Sequence, residues 1–261
     1  MILAGLGTIT PLGFGLISRA YPASSVLTPD SIGFFVESAV LIAAIPLAVK
    51  VNHKLGLPGG PLITSTLNGE PPPYGWGEVV LGGVLWSVIF LIGVVAVLSV
   101  GVGLRLYFSL SFGFGIPARH IRHVPKMKPS AIWLVSEIVT RAFSAAVREE
   151  ILFRFVLMGF FSWALNGVSG DSDQLPTRGQ LWLANIIQAY FFGLAHLKSD
   201  FHLAAGIGGL GKVLVRALFQ PQTWDGVFFG WLYLRKGLET SMVAHTFFDL
   251  LQLIGVPFLM R

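Results

Sequence analysis

The feature that most constrains this chain is an unbroken apolar run, Val79–Gly103, in which no charged residue occurs. A helix needs about 20 apolar residues to cross the hydrocarbon core of a bilayer, so this run is long enough to span one. Charged residues make up 12% of the 261-residue chain, about half the roughly 25% that is usual in soluble domains. Because a water-soluble fold of this length cannot bury such runs, the sequence predicts an integral membrane protein.

Apolar segments recur along the rest of the chain, separated by short polar stretches. They predict an all-α fold, a polytopic transmembrane helical bundle of roughly eight membrane segments. The prolines between Val51 and Glu78 predict a loop there. The further segments are Ile2–Ile17, Ile32–Val49, Ala131–Val147, Ile151–Trp163, Leu181–Leu197, Leu203–Phe219, the short Phe228–Leu234, and Ser241–Leu259.

The formal net charge of +5 comes from basic residues scattered between the apolar segments. Cytoplasmic loops of membrane proteins carry such an excess, so a lipid bilayer is the predicted partner and nucleic acid is not. Lys50, Lys54 and the cluster Arg119–Lys128 are all predicted to be cytoplasmic. Either Val79–Ile116 crosses the membrane twice, or one cluster breaks the rule. The sequence predicts one multi-pass domain, 1–261, in the plasma membrane if the source is prokaryotic, and leaves its oligomeric state open.

Two adjacent carboxylates occur in the sequence Arg148-Glu149-Glu150-Ile-Leu-Phe-Arg154, between two apolar segments. An ionised residue at the centre of a membrane helix costs about 2.5–3.5 kcal/mol on insertion scales, so such residues are functional by default. Glu150 and Arg154 are i and i+4 and are expected to pair. Glu149 lies about 100° further round a helix, so it is expected to stay available. The alternative is a purely structural ion pair.

Two further motifs place imidazoles on apolar segments. His196 ends the aromatic stretch Tyr190-Phe-Phe192-Gly-Leu-Ala-His196, and His245 precedes Asp249 by four residues on one helical face. Each motif alone is typical of a hydrogen-bonded core histidine. Together with Glu149, these groups would have to face inward around a small wet cavity, which suits hydrolysis.

Other catalytic signatures are absent from the sequence, among them HExxH, GxSxG and the P-loop. The glycines of Gly206–Gly211 fit GxGxxG, but they lie in an apolar segment without a strand-turn-helix context. We interpret them, and the GxxxG of Gly226–Gly230, as places where helices pack closely.

The motifs EExxxR, FxxxH and Hxxx[ND], in this order on consecutive apolar segments, resemble those of the CAAX-protease and bacteriocin-processing (CPBP, or Abi) family of intramembrane endopeptidases. That family includes the type II CAAX-prenyl proteases. The resemblance covers roughly residues 130–255, which we expect to be the catalytic half of the domain. One departure is Asp249, where the best-known prenyl proteases carry Asn.

The resemblance implies an endopeptidase that hydrolyses a peptide bond with glutamate-activated water. Glu149 would be the general base, and His196 would orient the water. His245 and Asp249 would stabilise the oxyanion. Structural support is expected from Glu150, Arg154 and Phe192.

Members of this family are often labelled metalloproteases, and Glu149, His196 and His245 could bind zinc. No two of these residues have the HxxxH spacing of a helical zinc site, so the sequence favours no cofactor. Asp249 leaves two alternatives. A protonated Asp249 could donate to the oxyanion as Asn does, whereas an ionised one would pair with a protonated His245.

Two other classes of protein compete with the protease. A proton- or ion-coupled transporter also buries ionisable groups, but the sequence has no internal repeat and its ionisable groups lie in one half. A catalytically silent family member, acting as a scaffold or immunity protein, is the second rival. The substrate stays open: a prenylated protein C-terminus, a leader peptide or another membrane-associated peptide.

Overall fold

The computed structural model describes residues 29–112, 139, 142–168, 174–197 and 207–259. Every regular element in these ranges is a helix, which confirms the all-α prediction for them, and no strand occurs there. The predicted segment Ile2–Ile17 and the basic cluster Arg119–Lys128 lie outside the described residues. The helices are α1 (Pro29–Lys54), α2 (Pro61–Asn68), α3 (Trp76–Phe112), α4 (Ala142–Val168), α5 (Arg178–Ala195), α6 (Ile207–Leu218), α7 (Pro221–Lys236) and α8 (Leu238–Leu259).

Among the residues that the structure describes, two stretches of helix are long and apolar enough to cross a membrane, namely Trp76–Ala96 in α3 and Ala142–Val168 in α4. Helix α3 presents large apolar side chains outward, among them Leu81 at 71% and Ile92 at 64% exposure. Outward apolar faces of this kind suit contact with lipid. The full number of membrane segments stays a prediction.

The loop predicted throughout Val51–Glu78 is wrong, because helix α2 lies inside it. Pro61 occupies the first turn of this helix, where a missing N–H costs nothing. Gly69 ends the helix with a positive φ of 69°, a conformation that glycine adopts without strain. A proline that predicted a break therefore begins a helix instead.

Helix α3 runs unbroken for 37 residues, so the alternative in which Val79–Ile116 crosses twice is wrong for the described range. Ala131–Val147 and Ile151–Trp163 were expected to be separate segments. The structure instead continues one helix, α4, from Ala142 through the three charged residues Arg148–Glu150. Helix α6 has only 12 residues where Leu203–Phe219 was predicted to span. Residues 201–206 are not described.

Close packing between α5 and α7 depends on the predicted GxxxG motif. A Cβ at Gly226 would lie 2.9 Å from the Ala189 Cα, and one at Gly230 would overlap the Asn185 amide. The close-packing interpretation is confirmed for these glycines. At Gly211 a Cβ would meet no described atom within 4 Å, so close packing there stays a prediction.

Candidate active site

The carboxylate motif lies in an irregular part of helix α4. The segment Glu150–Met158 is a π-helix, and α-helical winding resumes at Gly159. Short π segments inside α-helices occur frequently at functional sites, because they offset the side chains before the irregularity from those after it. This one carries Glu150 and Arg154 and begins immediately after Glu149.

Glu150 is fully buried, and three side chains satisfy its carboxylate. Oε1 lies 3.2 Å from Arg154 Nη1, which confirms the predicted i,i+4 ion pair. The same oxygen accepts from His245 Nδ1 at 2.8 Å. Oε2 accepts from the Ser241 hydroxyl at 2.5 Å. Glu150 thereby ties α4 to α8 and has no oxygen left for chemistry.

Arg154 is also fully buried, and aromatic rings enclose it. Its Cζ lies 4.6 Å from the centroid of the Phe192 ring and 5.6 Å from that of Phe229. Both distances are within the range of a cation–π contact. Among the described residues the guanidinium has no hydrogen-bond partner, so the ion pair with Glu150 and the two rings together stabilise its charge.

His245 links the buried ion pair to the more open part of the site. Its Nε2 lies 3.7 Å from Glu149 Oε2 and 3.7 Å from Asp249 Oδ1. The Glu149 side chain is 18% exposed and that of Asp249 26%, whereas Glu150 is at 0%. Of the two adjacent glutamates, only Glu149 can be reached from outside.

His196 lies at the C-terminal end of helix α5 and is exposed, where the sequence predicted a residue within an apolar span. Its Nδ1 lies 2.8 Å from the Phe192 carbonyl oxygen. Because a carbonyl can only accept, Nδ1 donates, and Nε2 of the neutral ring remains an acceptor. His196 interacts electrostatically with Asp249, so it borders the same group of residues.

Three residues at this site were missed by sequence reasoning. Ser241 precedes His245 by one helical turn, on the face toward Glu150. Phe229 stacks on the His245 ring at 4.5 Å between centroids. Asp225, on helix α7, interacts electrostatically with His245, Arg154 and Asp249. An acidic residue beside the GxxxG motif of an apolar helix was the signal available for Asp225.

The fit of a metal ion can be tested on the predicted ligands. One nitrogen of each histidine is already committed, His245 Nδ1 to Glu150 and His196 Nδ1 to Phe192. In the part of the chain that the structure describes, no group of three His, Asp or Glu side chains is arranged to hold a metal ion. A histidine that binds a metal ion through Nε2 usually makes such a contact through Nδ1, so these contacts do not exclude zinc, and the absence of a cofactor stays a prediction.

These helices bring together the side chains of all three motifs around an aromatic-lined acidic site, as expected of a hydrolase. Residues 131–251 match the family model described as Rce1-like: Type II CAAX prenyl endopeptidase Rce1-like. For these residues the match confirms the resemblance drawn from the motifs. The match implies a protease embedded in a membrane. Neither a curated protein nor a solved structure matches the chain.

Proposed function

We propose that the protein is an intramembrane endopeptidase in which Glu149 activates the attacking water. The observation that carries this proposal is the contrast between two neighbouring carboxylates. Glu150 is buried and occupied by Arg154, His245 and Ser241, whereas Glu149 is 18% exposed and beside His245 Nε2. A general base must reach both its proton and the substrate, and of these two neighbouring carboxylates only Glu149 meets that requirement.

The reaction then proceeds through groups of this chain alone. Glu149 takes a proton from water while the water oxygen bonds to the peptide carbonyl carbon, and His196 Nε2 orients the water. Electron density moves to the carbonyl oxygen, which needs a donor. When the C–N bond breaks, protonated Glu149 returns its proton to the departing amine.

His245 is one donor for the oxyanion, and a protonated Asp249 is the other. Its Nδ1–H is held by the Glu150 carboxylate, so only Nε2 faces the reacting groups. Nε2 can donate only when the ring carries both protons. The Glu150 carboxylate, 2.8 Å from Nδ1, and the Glu149 carboxylate, 3.7 Å from Nε2, supply the counter-charge for that state.

The proposed substrate is a membrane-associated peptide, with a prenylated CAAX-type C-terminus as the first candidate. The name of the matching family supports this substrate class. The exposed apolar faces of α3 and α4 would hold these helices in the lipid bilayer, and a peptide with a lipid anchor would be held in the same bilayer, close to the site.

The test is cleavage of prenylated and unmodified peptides by purified protein in lipid vesicles, measured both without and with a metal chelator. Wild-type protein should cleave, and Glu149→Gln should lower kcat by about 10²–10⁴-fold, the usual contribution of a general base. The Glu149→Gln protein should keep its thermal stability, because Glu149 is not part of the buried ion pair.

His196→Ala should also lose turnover while remaining folded. Glu150→Gln is the matched control, and it should lose stability as well as rate. An inactive Glu150→Gln beside a fully active Glu149→Gln would reverse the assigned roles. Turnover that stops in chelator and returns with zinc would overturn the metal-free mechanism. A wild-type chain that cleaves nothing would favour the silent scaffold.

A further inference from the structure

The π segment of helix α4 is held from outside the Rce1-like region. Asn52, on helix α1, donates from Nδ2 to the main-chain carbonyl of Phe155 at 2.9 Å. Asn52 is only 2% exposed, and it precedes the matched residues 131–251. A buried amide directed at the main chain of a helix has to be explained, since helix carbonyls normally accept from within the helix.

The Phe155 carbonyl lies where the hydrogen-bond register changes. In a π-helix such as Glu150–Met158 a carbonyl accepts from the N–H five residues later, whereas in the α-helix that resumes at Gly159 it accepts from the N–H four residues later. A return from the longer to the shorter bond skips one carbonyl near the junction, which would be left without a helical donor. Asn52 supplies the donor at that point, so the π register loses no hydrogen bond.

Gly159 makes room for this contact. A Cβ at Gly159 would overlap Asn52 Oδ1, so the side chain reaches the helix only because this position is glycine. Asn52 Oδ1 itself has no hydrogen-bond partner among the described residues. The donation to Phe155 is therefore the polar contact through which the Asn52 side chain acts.

We propose, on the basis of the proposed function, that Asn52 is a positioning residue that fixes the π register of α4 and hence the direction of Glu149. Without the amide, the skipped carbonyl would favour return of the segment to α winding. An α-helix winds further per residue than a π-helix, so Glu149 would turn relative to Phe155 and the packed end of the helix. Glu149 would then leave its place beside His245 Nε2.

The test compares Asn52→Ala with Asn185→Ala. Asn185 is an equally buried asparagine whose Nδ2 donates at 3.0 Å to the Val227 carbonyl, on α7 rather than α4. Both variants should lose thermal stability by a similar amount. Only Asn52→Ala should lower kcat, by about 10²-fold with KM little changed, as a catalytic group moved by about 1 Å does.

Gly159→Ala is a second way to remove the same contact, because the new methyl group would occupy the space of the Asn52 side chain and displace it from the Phe155 carbonyl. It should lower kcat as Asn52→Ala does, and the double variant should be no slower than either single one, because both remove one contact. Amide hydrogen exchange should increase around residues 150–160 in both single variants and stay unchanged there in Asn185→Ala.

A normal kcat in Asn52→Ala, or additive losses in the double variant, would overturn the inference. If Asn52→Ala yields no folded protein, Gly159→Ala decides: wild-type turnover there rejects the role of Asn52. These outcomes differ from failure of the proposed function, which is wild-type protein that does not cleave or cleavage that survives Glu149→Gln.

Discussion

Two nearly fully buried carboxylates lie at the first two turns of helix α8, and they are stabilised by different means. Glu150 contacts α8 through Ser241 and His245 and pairs with the Arg154 cation. Glu239, at the start of α8, is 3% exposed, and its Oε1 accepts from the main-chain N–H of Ile63 at 2.9 Å. Its Oε2 has no hydrogen-bond partner among the described residues.

The difference follows from where each carboxylate meets the main chain. Glu239 lies at the N-terminus of helix α2, where unpaired N–H groups and the helix dipole favour a negative charge. Glu150 lies inside a helix whose N–H groups are already bonded, so it needs a cation and side-chain donors. Burial alone therefore does not identify a catalytic carboxylate. Both of these buried carboxylates hold helices together, and they differ in whether main-chain N–H groups or a cation and side-chain donors stabilise the charge.

Removing the cation should have the largest effect. Arg154→Ala leaves Glu150 buried and unpaired, which typically costs about 3–5 kcal/mol. We expect a large loss of yield and thermal stability in detergent, with no measurable turnover. Arg154→Lys is the matched control, and it should recover only part of the stability because an ammonium lacks the planar guanidinium that lies between two rings. Wild-type stability of Arg154→Ala would contradict the contrast drawn between the two carboxylates.

Truncating the other carboxylate should affect stability alone. Glu239→Ala removes the acceptor of the Ile63 N–H, and a buried donor left unsatisfied costs about 1–3 kcal/mol. Glu239→Gln keeps an acceptor and should cost less. Denaturation gives the stability, and kcat measured below the melting temperature should equal that of the wild type. If kcat in Glu239→Ala fell in proportion to stability, Glu239 would not differ from Glu150 in its effect on catalysis.

Asp249 tests how far the Glu150 network extends, because His245 contacts both carboxylates. If Asp249 acts as a neutral donor, Asp249→Asn should keep turnover within a few-fold of wild type and extend it to higher pH, since the titrating group is gone. If its charge supports a protonated His245, turnover should fall at every pH. We favour the neutral donor, and a pH–rate profile of the two proteins distinguishes these outcomes.

The smallest effect is expected at Tyr74, next to Glu239 and outside the membrane-spanning stretches. Burial, with a smaller contribution from the Glu239 charge, raises the pKa of Tyr74 to about 12 from 10.0. A pKa raised by folding contributes stability below pH 10 that is lost as the pH rises toward 12. Tyr74→Phe should remove that alkaline component, as measured by denaturation from pH 9 upward. If Tyr74→Phe left the loss of stability at alkaline pH unchanged, ionisation of Tyr74 would not be its cause.

The sequence was sufficient for features that depend on short spacings. The Glu150–Arg154 pair and the shared face of His245 and Asp249 follow from helical periodicity, and the apolar runs predicted the two helices long enough to span. Ser241 and Phe229 were missed because their roles depend on how α7 and α8 meet α4, which no single helix encodes. The π segment and its contact with Asn52, about 100 residues away in sequence, depend on tertiary packing and had no local signal.

The burial of Arg154 against the rings of Phe192 and Phe229 has a consequence for how the Arg154–Glu150 ion pair responds to salt. At physiological ionic strength, dissolved salt screens exposed charges from each other beyond a Debye length of about 8 Å. Screening requires that the dissolved ions approach the charges, so buried pairs are screened much less. The Arg154 and Glu150 side chains have no exposed surface through which an ion could reach them. The attraction between them is therefore set by the protein, and changes in ionic composition on either side of a membrane would leave it intact.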